Sequence, residues 1–277
     1  MTEIVAAHRP AARGRRLLVA LGVALTVLVV VLPLAAIFDQ ALAKGFLVYR
    51  DNILAADTLH SIWLTLATAL VVVPLNVAFG LVAAWTLTKY DFPGKKLLLT
   101  AIEIPFSISP IVAGVCYLLL YGAQGLLGPA LVDMDIRIMF TVPAIMLVTL
   151  FVTSPFVARE MISLMQVQGR EHEEVAATLG AGGWQIFRRV TLPNIKWALL
   201  YGAVLCNARA MGEFGAVSVV SGNVRGETNT LPLQVQLLDH DYNAAGAFAA
   251  ATVLTLLAFV TLILKAWLER RVHQVGD

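Results

Sequence analysis

The sequence predicts an all-α, polytopic membrane protein with six transmembrane helices. Three observations lead there. The 277-residue chain is 59% hydrophobic and only 14% charged, where soluble domains carry roughly 25% charged residues, and its mean hydropathy is +0.80. Apolar runs of the length that crosses a hydrocarbon core, about 20 residues each, recur six times. Lys and Arg crowd into alternate connecting segments, the asymmetry that marks cytoplasmic loops.

The first run, Leu17 to Phe38, follows Arg13, Arg15 and Arg16 and stops at Asp39. Ala41-Leu42-Ala43 has the small-x-small pattern of a signal cleavage site, but signal-peptide apolar regions span only about 7–15 residues. A retained signal anchor is therefore preferred. After a polar stretch from Asp39 to Thr58, runs follow at 60–88, 97–121, 138–158, 196–220 and 244–268. Pro33, Pro74, Pro105, Pro110, Pro143 and Pro155 fall inside these runs. A proline removes one helical hydrogen bond and bends the axis, which bundles tolerate where neighbours or a water-lined cavity satisfy the freed groups. Most of them read as ordinary kinks. The segment Ile104-Pro105-Phe106-Ser107-Ile108-Ser109-Pro110 is the one expected to break its span.

With the amino end inside, the inner segments hold Arg9, Arg13, Arg15, Arg16, Lys89, Lys95, Lys96, Arg159, Arg170, Arg188, Arg189, Lys196, Lys265, Arg270 and Arg271. The outer loops hold only Lys44, Arg50, Arg137 and Arg225, and Arg209 lies within a run. This bias places both termini in the cytoplasm. A cytoplasmic tail over residues 1–16, a transmembrane domain over 17–268 and a second tail over 269–277 follow. The longest polar interruption, 159–195, faces the cytoplasm. Glu103, close to Lys96 in sequence, is expected near the inner interface. Cys116 and Cys206 lie far apart in apolar runs and read as small buried hydrophobes rather than a disulfide or metal pair.

Within the cytoplasmic loop, Val175, Ala176 and Leu179 share one side of a helix and Glu171, Glu174 and Thr178 another. Gly180, Gly182 and Gly183 end it, since glycine adopts the left-handed cap without steric cost. Trp184, Phe187 and Val190 recur at helical spacing in a second short helix, and Pro193 suits the first turn of the fifth span. Helices shorter than about 12 residues are marginal alone, so these need a surface. Periodicity leaves open whether that surface is a partner protein or the lipid headgroup layer. Enzyme motifs fail here. His172-Glu173-Glu174-Val175-Ala176 lacks the second histidine of a zinc protease, Gly180-Ala181-Gly182 lacks the later glycine and the strand of a dinucleotide fold, and Gly94-Lys95-Lys96 lacks the remainder of a phosphate-binding loop.

Glu174-Val175-Ala176, then Gly180, then Val190, Leu192 and Pro193 resemble the EAA signature of ABC importer permeases: Glu-Ala-Ala, three residues, Gly, nine residues, Ile, one residue, Leu-Pro. The spacing is kept throughout, with Val175 replacing an alanine and Val190 an isoleucine. The resemblance implies a type I ABC importer permease fold, with a core over 59–268. It implies that the short helix is a coupling helix seated on an ATPase subunit, with Glu173, Glu174, Ala176, Ala177 and Gly180 as contact residues. ATP hydrolysis then belongs to a separate chain present in two copies. The chain itself is not an enzyme and has no implied cofactor or metal, and nothing points to nucleic acid.

Asn207 to Val235 is the second informative stretch. Arg209 and Glu213 are spaced to pair on one helix face. Ionisable residues within spans are functional-site candidates by default, and a purely structural ion pair is the other reading. Arg209-Ala210-Met211-Gly212-Glu213-Phe214-Gly215-Ala216 and Thr230-Leu231-Pro232-Leu233 resemble sulfate permease subunits and, more loosely, molybdate permeases. That resemblance implies sulfate or thiosulfate as substrate, with molybdate or tungstate as the alternative. It further implies a related second permease, a periplasmic sulfate/thiosulfate-binding protein and a site in the bacterial inner membrane with its lipid. Path candidates are Arg209, Glu213 and the helix-break residue Ser221, because backbone N–H groups at such breaks suit anions. An ion-coupled secondary transporter is less favoured, since it has no need of the cytoplasmic signature.

Overall fold

The computed structural model describes residues 12–273; residues 1–11 of the tail expected at 1–16 and residues 274–277 of the tail expected at 269–277 lie outside them. All regular structure among these residues is helical. Helix α1 (Ala12–Thr26) passes through a π turn, Val27–Val31, into α2 (Leu32–Leu42). Then come α3 (Phe46–Leu54), α4 (Ala56–Lys89), α5 (Lys95–Ser107), α6 (Pro110–Tyr121), α7 (Gly128–Asp133) and α8 (Val142–Gln168). After α9 (Glu171–Thr178) and α10 (Gly183–Ile186), a second π turn, Phe187–Thr191, runs into α11 (Leu192–Met211). The chain ends through α12 (Gly215–Val220), α13 (Leu231–His240) and α14 (Ala244–His273).

Among the described residues four helical stretches are long and apolar enough to cross a membrane: Arg16–Leu42, Ala56–Lys89, Val142–Gln168 and Ala244–Glu269. A fifth is the pair α5 and α6, bent by 109° at their junction. This is the break expected at the Pro105–Pro110 segment. Ile108 and Ser109 are extended there, the conformation that a following proline imposes on its neighbour. The run expected at 196–220 is not one helix. It divides at Gly212-Glu213-Phe214 between α11 and α12, and α11, which carries Lys196 and Arg209, is not among the four long apolar stretches.

Proline also explains the two π turns. Pro33 and Pro193 each stand two residues beyond the end of one, and the preceding N–H, of Leu32 or Leu192, bonds the carbonyl five residues back. Widening the turn relieves the clash of the pyrrolidine ring with the carbonyl four residues before it. The second amphipathic helix expected from Trp184 is thus not separate from the fifth span. It flows into α11 through the widened turn. The fourth run differs in another way: its apolar stretch stops at 158, but α8 continues to Gln168 and carries Arg159 and Glu160 well inside the helix.

The centre of the bundle is α4 against α8, with α11 against both. Gly80 permits the approach, because a Cβ there would lie 2.7 Å from Val157 Cγ1 and 2.9 Å from the Ala158 backbone nitrogen. The fully buried Asn76 donates from Nδ2 to Thr153 Oγ1 at 2.7 Å and to Cys206 Sγ at 3.5 Å, tying all three helices. Thr58, Ser61, Thr65 and Thr68 continue this small polar face along α4, all buried, while Leu70 and Val82 face outward. That inversion suits packing in lipid, where small residues and interhelical hydrogen bonds replace apolar burial as the cohesive term. Cys206 is buried as expected, but Cys116 lies on an exposed face of α6, since an apolar residue has no reason to turn inward where the surroundings are apolar too.

Candidate coupling surface and ionisable pair

Helix α9 carries three carboxylates, Glu171, Glu173 and Glu174, in its first turn, where they complement the positive end of the helix dipole. It ends at Gly180, whose φ of +84° is the left-handed geometry that favours glycine. Gly180 N–H bonds the Ala177 carbonyl at 3.0 Å and Ala181 N–H the Ala176 carbonyl at 3.1 Å.

The inner side of α9 is tied to the bundle. Glu173 Oε2 pairs with Lys89 Nζ, at the end of α4, at 2.8 Å, and Glu173 Oε1 accepts from Thr191 Oγ1 at 2.7 Å. Lys89 Nζ also donates to the Gly169 carbonyl at 2.8 Å. Arg170 donates to the Thr88 carbonyl at 3.1 Å and approaches Asp91 at 3.5 Å. The hydrogen bond and charge of Lys95, and beyond them the charge of Arg170, hold the exposed Asp91 carboxyl below its ordinary range.

The outer side of α9 has no such ties. Glu174 and Ala177 are exposed and Ala176 is half-buried. Val175 is 59% exposed, Leu179 83% and the neighbouring Trp184 71%. Trp184 stacks on Phe187 at 5.5 Å, and Phe187 meets Trp85 of α4 edge-on at 5.4 Å. Of the five residues expected at a partner contact, Glu174, Ala176, Ala177 and Gly180 thus lie at or beside this outer surface, whereas Glu173 turns inward. Lys89 and Thr191, which hold Glu173, were not singled out from sequence. The only trace of Lys89 there is its place among the loop cations.

At the other expected site, Arg209 Nη1 lies 2.5 Å from Glu213 Oε2. The pair exists, but not along one helix. α11 ends at Met211, and Glu213 Oε1 accepts the Ala216 N–H in the first turn of α12 at 2.9 Å. Glu213, 2% exposed, therefore clamps the two halves of a broken helix, and Arg209 neutralises it. Gly212 and Gly215 on either side were the available signal for that break. Ser221 is fully buried and exchanges its hydrogen bonds with Asn223 in a tight turn, where Gly222 and Asn223 have φ of +74° and +54°.

Residues 76–274 match the family model described as the binding-protein-dependent transport system inner membrane component. The chain is 53% identical over 265 residues to the sulfate transport system permease protein CysW of Escherichia coli strain K12, covering 96% of this chain and 91% of that protein. It is 51% identical over 255 residues to the CysW protein of Synechocystis sp., covering 92% of each. The permease protein CysT of Escherichia coli strain K12 is 36% identical over 241 residues, covering 85% of this chain and 87% of that one. Among solved structures, a chain of a bacterial ABC transporter involved in the import of alginate superposes with a TM-score of 0.76 at 15% identity, covering 96% of this chain and 98% of that one. At that identity the likeness is one of fold. A family match over most of the chain, and relatives aligned along nearly all of it, establish that the chain belongs to the binding-protein-dependent transport system inner membrane component family, the permease subunits of ABC importers.

Proposed function

We propose that the chain is the sulfate-carrying permease subunit of an ATP-driven importer in a bacterial cytoplasmic membrane, with thiosulfate as a second substrate. It crosses the membrane six times, as α1–α2, α4, α5–α6, α8, α11–α12 and α14, and both termini are cytoplasmic. α9 is the coupling helix, and each of two ATPase subunits serves one permease of a pair. The second permease is a different, CysT-like chain, and a periplasmic binding protein delivers the anion. Glu174, Ala176, Ala177 and Gly180 meet the ATPase, while Glu173 holds α9 in place from behind.

One observation carries the coupling role: α9 is fixed on one side by Glu173 and Arg170 and presents Val175 and Leu179 unpartnered on the other. Exposed apolar side chains beside a rigid anchor fit a surface built to receive force. The substrate rests on the identity to the two sulfate permeases. Expressing the chain in an Escherichia coli strain lacking its own CysW tests both. Growth on sulfate as sole sulfur source and restored sulfate uptake are expected, and absence of both, with the protein in the membrane and bound to the host ATPase, overturns the substrate assignment.

A further inference from the structure

The cation best placed to meet an anion is one the sequence puts in a loop. Arg159 belongs to α8, nine residues before that helix ends at Gln168, which is about 14 Å at 1.5 Å per residue. It is exposed and, among the described residues, forms no ion pair. Arg209, by contrast, is already committed to Glu213.

The direction of the side chain decides between two readings. An arginine near a helix end that faces lipid extends its guanidinium toward the headgroups. Arg159 is instead held beside an aromatic ring: its Cζ lies 4.9 Å from the centre of the Phe106 ring. Phe106 stands eleven residues along α5 from Lys95, about 16 Å from the start of that helix, immediately before the 109° break. The guanidinium thus lies at the depth of the helix break, over a ring that is 57% exposed and packs edge-on against Phe156 at 5.9 Å. Phe106, Phe156, Arg159, Glu160, Ser163 and Leu205 line a cavity of about 370 Å³. Cations within spans face the bundle interior or a water-filled space, and broken helices occur where they line such a space.

We propose that Arg159, with Ser163 one turn further along α8, forms an anion-contact site in the inner half of the transport path, taking a small tetrahedral oxyanion. The inference rests on the reading of the chain as an oxyanion permease. A guanidinium offers paired N–H donors in a fixed fork that matches two oxygens of such an anion, and Phe106 keeps that fork in one orientation. Ser163 supplies a further donor on the same face. Glu160 lies on the same wall, and its carboxylate limits how tightly a dianion is held. A station on a transport path requires that weakness, because the ion must leave again.

The test uses the whole importer in proteoliposomes: this chain, its partner permease, the ATPase and the binding protein, with labelled sulfate. Arg159→Gln is expected to lower ATP-driven uptake at least tenfold while assembly and binding-protein-stimulated ATP hydrolysis stay within twofold of wild type. Arg159→Lys, which keeps the charge without the fork, is expected to fall between them. Arg159→Gln uptake within twofold of wild type overturns the proposal. So does failure of Arg159→Gln to assemble alongside an Arg159→Lys that assembles and transports like wild type, since the charge is then needed for folding alone. A wild-type complex that carries molybdate but not sulfate refutes only the substrate reading, and the same comparison then decides on molybdate uptake. A wild-type complex that carries no oxyanion refutes the functional reading and takes the proposal with it.

Discussion

Glu173 of α9 and Lys89 at the end of α4 are 84 positions apart in the chain, yet their charged atoms meet at 2.8 Å. Their side chains are only 18% and 10% exposed, so the pair is partly shielded from water and stronger than a surface ion pair. Thr191 and the Gly169 carbonyl complete its hydrogen bonding. These contacts link α9 to α4 directly and to α11 through the π turn that holds Thr191, so on the proposed coupling role a displacement of α9 is expected to reach both. Glu173→Lys should leave the ATPase bound while lowering sulfate uptake per ATP hydrolysed at least fivefold, and adding Lys89→Glu should restore a substantial part. Unchanged coupling in the single variant would show that α9 transmits force without this latch.

How much of this was legible in sequence depends on the range of the interaction. The break at Ile108-Ser109-Pro110 was readable because a proline acts on its immediate neighbours. Gly180 was readable because a helix stop is a local backbone event. The Lys89–Glu173 contact was not, since no periodicity relates residues in different helices. Arg159 was misplaced for a physical reason. An apolar run measures where side chains turn polar, whereas a helix continues as long as its residues permit, and α8 stops only near Gly169, whose φ is +67°. The Arg209–Glu213 pairing was legible, but its setting was not: four-residue spacing assumed a continuous helix, and glycines at 212 and 215 allow the break.

Gly180 separates the requirements of the fold from those of a partner. A Cβ there would meet nothing within 4 Å inside this chain, although φ is +84°. Gly180→Ala should thus cost about 1 kcal/mol, the left-handed penalty for an L-residue, and Gly180→Leu little more as far as the isolated chain is concerned. On the assembled importer, Leu should release the ATPase and Ala should largely retain it. Co-purification of the ATPase with each variant measures this. Equal retention by both would place the partner surface away from Gly180.

Gly80 and Gly202 flank the same residue, Val157, at different distances. A Cβ on Gly80 would lie 2.7 Å from Val157 Cγ1 and 2.9 Å from the Ala158 backbone nitrogen, whereas one on Gly202 finds its nearest neighbour, Val157 Cα, at 3.4 Å. Gly80→Ala should therefore destabilise by about 1–3 kcal/mol through overpacking. Gly202→Ala should be neutral to within about 0.5 kcal/mol. Thermal unfolding in detergent checks the ordering. A Gly202→Ala loss equal to that of Gly80→Ala would contradict the α4–α8 approach described here.

Arg209 and Glu213 allow the structural and transport roles of an intramembrane pair to be separated. Glu213→Ala strands the Ala216 N–H, at about 1–3 kcal/mol for an unsatisfied buried donor, and leaves Arg209 without its counter-charge. The half-open position of Arg209, 30% exposed, moderates that second loss. Replacing both members by apolar residues of similar size removes the uncompensated charge, and such exchanges are often neutral or stabilising for buried pairs. Arg209→Met with Glu213→Leu should hence unfold at a higher temperature than Glu213→Ala. Sulfate uptake by that double variant then assigns the role. Because Glu213 already neutralises Arg209 and closes the break between α11 and α12, we expect uptake within threefold of wild type once the fold is restored. Loss of uptake in a stable, assembled double variant would instead place the Arg209 charge on the transport path.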